Sequence, residues 1–206
     1  MNTTKIYTAA QMRVAENQAV KDGTSLLTLM ENAGQGAAVC VLRRFPAMQS
    51  VLLVCGKGNN GGDALVMARV FAEHGKRADV VFLLGNTLSD LAQINRERLP
   101  ASVRILPVHT LDVRHYDVVV DAVFGTGFNG TLPESVADFF RVLNTSDTIK
   151  VALDIPSGMN CDTGNAAPES FRAEVTYAFG AYKPAHFMPS AKSYCGEVVP
   201  VSIGID

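Results

Sequence analysis

Three clusters of amide, carboxylate and hydroxyl side chains in this chain sit beside glycines at the ends of apolar runs. The first is Asn59-Asn60-Gly61-Gly62-Asp63, reached from Val51-Leu-Leu-Val-Cys55 through Gly56-Lys-Gly58. In the second, Asp121 closes Tyr116-Asp-Val-Val-Val and leads into Gly125-Thr-Gly-Phe-Asn-Gly-Thr131. The third, Asp154-Ile-Pro-Ser157-Gly158, follows Ile149–Leu153. Short runs rich in Val and Leu read as buried parallel strands. In open parallel sheets, ligands bind beyond the carboxyl ends of the strands. Two strand-end acids beside Gly-rich turns therefore point to one active site, suited to a polar ligand or a cation. Taken singly, each acid also reads as a solvated loop residue or a helix cap, with Asn59-Asn60 as plain turn residues.

The commonest nucleotide grips fit poorly. Gly56, Gly58 and Gly61 satisfy G-x-G-x-x-G, but the ribose-binding acid belongs about 20 residues on, at the end of the next strand. That strand, 78–84, ends in Gly85-Asn86, and Asp79 lies at its start. No Gly-Lys-Ser/Thr closes the loop, which rules out a lysine phosphate loop. An Asp in the first helical turn suits the helix dipole but repels a phosphate placed there.

The elements that must hold these clusters alternate. Thr8 to Gln11 resembles a capping box that opens a helix reaching Asp22. A second helix is predicted over 25–44, with Leu27, Met30, Ala37 and Val41 on one face. A third follows Asp63, with Val66, Met67, Val70 and Phe71 at helical spacing, and stops at His74-Gly75. Further helices are predicted over 88–98 and from Pro133 to Leu143. Strands are predicted over 78–84, 103–106, 116–121, 149–153, 173–179 and 197–203. This alternation predicts an α/β fold with a mainly parallel sheet covered on both faces, preceded by two extra helices.

The 206 residues suit one domain over 1–206. A net charge of -2 without a basic tract gives no electrostatic footprint for nucleic acid or membrane. No apolar run approaches the ~20 residues that span a bilayer, and the N-terminus is unlike a secretory signal. Cys40, Cys55, Cys161 and Cys195 are scattered without a Cys-x-x-Cys pair, as expected of reduced thiols in a cytoplasmic protein.

Gly-Asn-Asn-Gly-Gly-Asp63, Asp121-x-x-Phe-Gly-Thr-Gly127 and Leu-Asp-Ile-Pro-Ser-Gly158 together resemble the signature loops of the YjeF N-terminal domain family. Leu29-Met-Glu-Asn-Ala-Gly34 and Asp162-Thr-Gly164 fit the same family, so the likeness covers essentially the whole chain in order. The resemblance implies a Rossmann-like three-layer α/β/α sandwich and NAD(P)H-hydrate epimerase activity, an isomerase reaction on hydrated NADH or NADPH. It implies substrate contacts from Asn59, Asn60, Gly61, Gly62 and Asp63, from Gly125, Thr126, Gly127, Phe128, Asn129, Gly130 and Thr131, and from Asp154. Potassium would be held by Asn60, Asp121 and Ser157, an all-oxygen set suited to a hard cation. Relatives suggest a homodimer. Ala64 stands where the family commonly has Gly, and Asn160 where Asp is frequent. Many bacterial relatives add a nucleotide-dependent dehydratase domain after this one, and the present chain is expected to supply epimerisation alone.

Epimerisation would proceed if the ring nitrogen expelled the hydroxyl as water and water returned to the opposite face. That scheme needs an acid, a base and negative charge near the cation. Asp154 is the first expectation for the proton-handling group, since Asp121 would face potassium. Lys183, in Phe179-Gly-Ala-Tyr-Lys-Pro184, is the second, against a plain surface lysine. His186 could carry a proton or simply be solvated; His74, His109 and His115 show no partner. Three other functions compete. A non-catalytic RNA-binding or dimerisation module of the same fold disagrees with the acidic balance and intact loops. An NAD-dependent dehydrogenase lacks the second-strand acid, and a kinase-like dehydratase lacks its phosphate loop.

Overall fold

The computed structural model describes residues 4–205. Seven strands form one sheet: β1 (Ser50–Cys55), β2 (Arg77–Phe82), β3 (Arg104–Ile105), β4 (Val118–Ala122), β5 (Ile149–Leu153), β6 (Val175–Phe179) and β7 (Glu197–Val201). Their order is β3-β2-β1-β4-β5-β6-β7, and every neighbouring pair is parallel. The order reverses between β1 and β4, so the loops leaving these two strands diverge and open a crevice there.

Side-chain alternation along the strands separates two cores. Val51, Leu53, Cys55, Val80, Val120 and Leu153 face one layer. That layer is built by α1 (Ala9–Lys21), α2 (Leu26–Arg44), α3 (Asn59–Glu73) and α4 (Asp90–Glu97). Leu52, Val54, Val81, Val119 and Ala152 face the other, where α5 (Glu134–Asn144) contributes Val136, Phe140 and Leu143 beside Phe171. The arrangement is the expected α/β sandwich, with its second outer layer formed largely by one helix. The two leading helices are present, and the Thr8 capping box is closed by Gln11 N–H to Thr8 Oγ1 (3.2 Å) and Thr8 N–H to Gln11 Oε1 (2.9 Å). A short α6 (Lys192–Cys195) precedes β7.

Several boundaries differ from the sequence-based expectation. α3 starts at Asn59, not after Asp63, because extended Gly58 serves as N-cap and the Asn-Asn-Gly-Gly-Asp segment is itself helical. Pro133 caps α5 from outside rather than opening it, and Ser89 caps α4 so that Leu88 stays out. β3 shrinks to two residues at the sheet edge. Asp121 lies within β4, paired with Val54 and Ala152, one residue before its end.

Asp79, read as a misplaced ribose acid, is a structural anion. Its buried carboxylate accepts from Arg104 Nε (2.8 Å), Arg104 Nη2 (2.6 Å) and the Tyr116 hydroxyl (2.9 Å). Gly34 sets how closely α2 approaches α3: a Cβ there would overlap the Val66 side chain and the Asp63 carbonyl. Gly34→Ala is expected to cost about 1–3 kcal/mol through overpacking. Urea unfolding measures this, and an unchanged midpoint would contradict the close-packing argument.

Candidate active site

A cavity of about 640 Å³ occupies the crevice beyond β1 and β4. Asn59, Asn60 and Asp63 line it from the start of α3, Gly125 to Phe128 from the loop after β4, and Asp154 from the end of β5. Gly61 and Gly62 lie beneath: a Cβ on Gly61 would strike the Gly56 carbonyl, and one on Gly62 the Met30 thioether. Asn129, Gly130 and Thr131 are exposed and lie beyond the lining. A larger cavity of about 1210 Å³ sits at the opposite end of the strands. Of its acids, Asp112 pairs with Arg114 and Asp117 accepts from the Gln49 and Ser50 amides, and Asp147 lies apart from them on the turn before β5. It offers no convergent reactive groups.

Behind the crevice, Asp121 is completely buried. Its Oδ1 accepts from Ser157 Oγ (2.6 Å) and Val123 N–H (3.2 Å), and its Oδ2 from Ser157 N–H (2.7 Å). Burial pushes this carboxyl up to about 7 despite those bonds. Asn60 Nδ2 donates to the carbonyls of Phe124 (2.9 Å) and Leu153 (3.3 Å), leaving its buried Oδ1 without a partner. Ser157 Oγ also meets the Phe124 carbonyl, at 3.3 Å. Asn60 and Ser157 thus meet at the Phe124 carbonyl, and Asp121 joins them through Ser157. A buried polar atom without a bond is costly, and here it is the Asn60 amide oxygen, which with the Asp121 carboxylate and the Ser157 hydroxyl makes up an oxygen donor set. That donor set fits a hard monovalent cation and no thiophilic metal. Among the described residues no group of three His, Cys, Asp or Glu side chains forms a metal cluster.

Asp154 and Lys183 form the second feature. Lys183 is fully buried, which overturns the surface-lysine reading. Its ammonium donates to Asp154 Oδ1 and to the carbonyls of Phe179 (2.8 Å) and Ala181 (3.0 Å). Asp154 Oδ1 also accepts from Phe179 N–H (3.1 Å). Asp154 has φ +63°, a left-handed conformation that non-glycine residues hold only when their surroundings impose it. His186 supplies part of that constraint: Lys183 N–H donates to its Nδ1 (3.1 Å), so its Nε2–H donates to the Asp154 carbonyl (3.0 Å). Burial lowers His186 to about 4, so the ring is neutral. It is a strut, neither a proton carrier nor a solvated histidine. His74 bonds the Val70 carbonyl of its own helix, and exposed His115 lies 3.8 Å from Asp112.

Sequence reasoning missed the crevice wall contributed by α1 and α2, including Met12, Glu16, Leu29 and Met30. Only the i, i+4 spacing of Met12 and Glu16 hinted at a shared face. Asp162 accounts for the position of α1, accepting the Ala9 N–H at 2.8 Å. Asn160 closes a turn onto the Asp162 and Thr163 amides.

The family described as "YjeF-related protein N-terminus" matches residues 26–185. A bifunctional NAD(P)H-hydrate repair enzyme of Pyrobaculum aerophilum is 38% identical over 96% of this chain and 41% of its own length. The chain thus spans about two fifths of the bifunctional relatives it matches. An NAD(P)H-hydrate epimerase of Elusimicrobium minutum is 35% identical over 98% of this chain and 96% of its own. The crystal structure of yeast ynu0 superposes with a TM-score of 0.78 at 25% identity, covering 88% of this chain and 83% of that one. The chain belongs to the YjeF-related N-terminal family.

Because His186 is neutral when folded, it contributes stability that is present above its ordinary 6.5 and lost as pH falls through about 4. Wild type is expected to lose up to roughly 3 kcal/mol more than His186→Gln across that window, at about 1.4 kcal/mol per unit. Urea denaturation at pH 7 and pH 4 checks this. Parallel losses in the two proteins would show that His186 is not held neutral.

Proposed function

We propose that this crevice binds hydrated NADH or NADPH and interconverts the two epimers at the hydroxylated ring carbon. The observation that carries the reading is the Asp154–Lys183 pair at the crevice, near the buried, unpartnered Asn60 amide oxygen. The epimerase relative covered over nearly its whole length supports the same activity. Asn59, Asn60, Asp63 and Gly125 to Phe128 would contact the dinucleotide, with the exposed Asn129, Gly130 and Thr131 as an outer flap of the same loop.

The chemistry needs no hydride transfer. The ring nitrogen lone pair displaces the hydroxyl as water and forms a planar cation, and water adds to the other face. Lys183 pairs with Asp154, whose carboxylate would face the developing positive charge. The same carboxylate can take the proton of the incoming water. Phe128 packs against Phe124 with ring centroids 5.1 Å apart and closes one apolar side of the cavity, limiting bulk water. Asn60 Oδ1, Asp121 and Ser157 Oγ would hold potassium, which when bound supplies the positive charge that Asp121 lacks.

The reading extends to a homodimer, favoured by exposed Val14, Val20 and Leu26 along α1 and α2. A cytoplasmic setting is favoured by four free cysteines. Among the described residues no helix is long and apolar enough to cross a membrane.

Asp154→Ala is expected to lower epimer interconversion by at least ~100-fold while circular dichroism stays unchanged. Proton NMR of separated hydrate epimers reads the rate. A variant as fast as wild type would remove Asp154 from the mechanism.

A further inference from the structure

The proton inventory at the Asp154–Lys183 pair leaves the reaction short of an acid. An ammonium has three protons, and those of Lys183 are directed at Asp154 Oδ1, the Phe179 carbonyl and the Ala181 carbonyl. None is free for a leaving hydroxyl. Both hydrogen bonds that Asp154 accepts fall on Oδ1, which leaves Oδ2 to receive a proton. The pair is thus arranged as a base. A different group must protonate the departing oxygen.

Besides Asp154, the titratable side chains lining the cavity are Arg13 and Glu16 on α1, Lys57 before α3 and Asp63 on α3. Arg13 is permanently charged, and Lys57 lies on the exposed loop. Asp63 differs from both. The residue is only 9% exposed and lines the cavity. No side-chain hydrogen bond within the described residues engages its carboxyl, which leaves it open to a ligand in the cavity.

We propose that Asp63 donates the proton to the leaving hydroxyl, with Glu16 as the positioning residue that keeps the proton on Asp63; this rests on the epimerase reading above. Glu16 is half-buried and reaches the same cavity from the helix anchored by Asp162. Three carboxyls, Glu16, Asp63 and Asp154, share this space with one ammonium already committed to Asp154. The charge on any one of them disfavours charge on the others. Burial pushes Asp63 well above the usual carboxylate range, the Asp154 and Glu16 charges add to that, and Lys183 opposes it. Burial and Asp154 likewise raise Glu16, against Lys183 and Arg13.

The step balances. The C–O bond breaks as the nitrogen lone pair forms C=N, and the Asp63 proton leaves with the hydroxyl as water. A water then adds to the opposite face, the C=N electrons return to nitrogen, and Asp154 takes the proton of the incoming water. The protein is left with Asp63 ionised and Asp154 protonated, the form that runs the reverse epimerisation. Proton exchange with solvent at the open cavity restores the starting form.

The test measures interconversion of purified hydrate epimers by wild type, Asp63→Asn and Glu16→Gln between pH 5.5 and 9. Calorimetric binding of NADH reports the intact crevice. Asp63→Asn is expected to lower kcat by at least ~100-fold with NADH affinity within about threefold. Glu16→Gln removes a like charge, so the alkaline limb of its kcat profile should move about one unit to lower pH. A helix scaffold lost in Glu16→Gln would weaken NADH binding without moving that limb. If wild type is active and Asp63→Asn stays within about threefold of it, or the Glu16→Gln profile superposes on wild type, the inference is overturned alone. Should Asp63→Asn fail to fold, the Glu16→Gln limb decides. An inactive wild type overturns the epimerase reading, and this inference with it.

Discussion

The bond between the buried Asp121 carboxylate and Ser157 fixes the geometry on which the rest of the crevice depends. A lone carboxylate inside a sheet is costly unless donors surround it. Asp121 is tolerated because the Ser157 amide, the Ser157 hydroxyl and the Val123 amide all point at it. Those donors come from the loops after β4 and β5. One anion therefore draws together the two loops that a parallel sheet would otherwise let diverge. Asn60 extends the joint to α3, gripping the Phe124 and Leu153 carbonyls from across the β1/β4 split. The amide oxygen left over from that grip is buried without a partner.

A second constraint acts one residue beyond β5. Asp154 is held in the left-handed region by its amide bond to the Tyr177 carbonyl (2.8 Å), by His186 at its carbonyl and by Lys183 at its side chain. Strain of this kind costs about 1–3 kcal/mol and persists only where surrounding groups impose it. It re-aims a strand-end carboxylate into the cavity, which a regular continuation of β5 would not do. Lys183 and His186 are both held by the turn after β6, so the sheet's own register sets the reactive group.

Much of this was legible in the chain itself. The Val- and Leu-rich runs gave away the strands because parallel strands are buried on both faces. Asp121 and Asp154 stood out because acids at the ends of such runs have few structural uses. Other features were hidden for physical reasons. Helix α3 starts four residues before Asp63 because Gly61 and Gly62 are chosen for close packing against Gly56 and Met30, which overrides their poor helix propensity. The burial of Lys183 was not readable, since a Gly–Lys–Pro turn looks the same whether it faces water or a carboxylate. Nor was Glu16, because one glutamate on an amphipathic helix carries no local mark. Its importance comes from where the Asp162 anchor places the helix.

At the centre of the proposed mechanism is one oxygen-lined cation site, formed by the start of α3 and the loops after β4 and β5 beside the Asp154–Lys183 pair. Anomalous diffraction from crystals soaked in rubidium, a potassium substitute with a usable absorption edge, tests it most directly. One strong peak is expected within coordination distance of Asn60 Oδ1, an Asp121 carboxylate oxygen and Ser157 Oγ, lost in Asn60→Ala. No peak there in fully soaked crystals, or a peak only at a surface site, would contradict it.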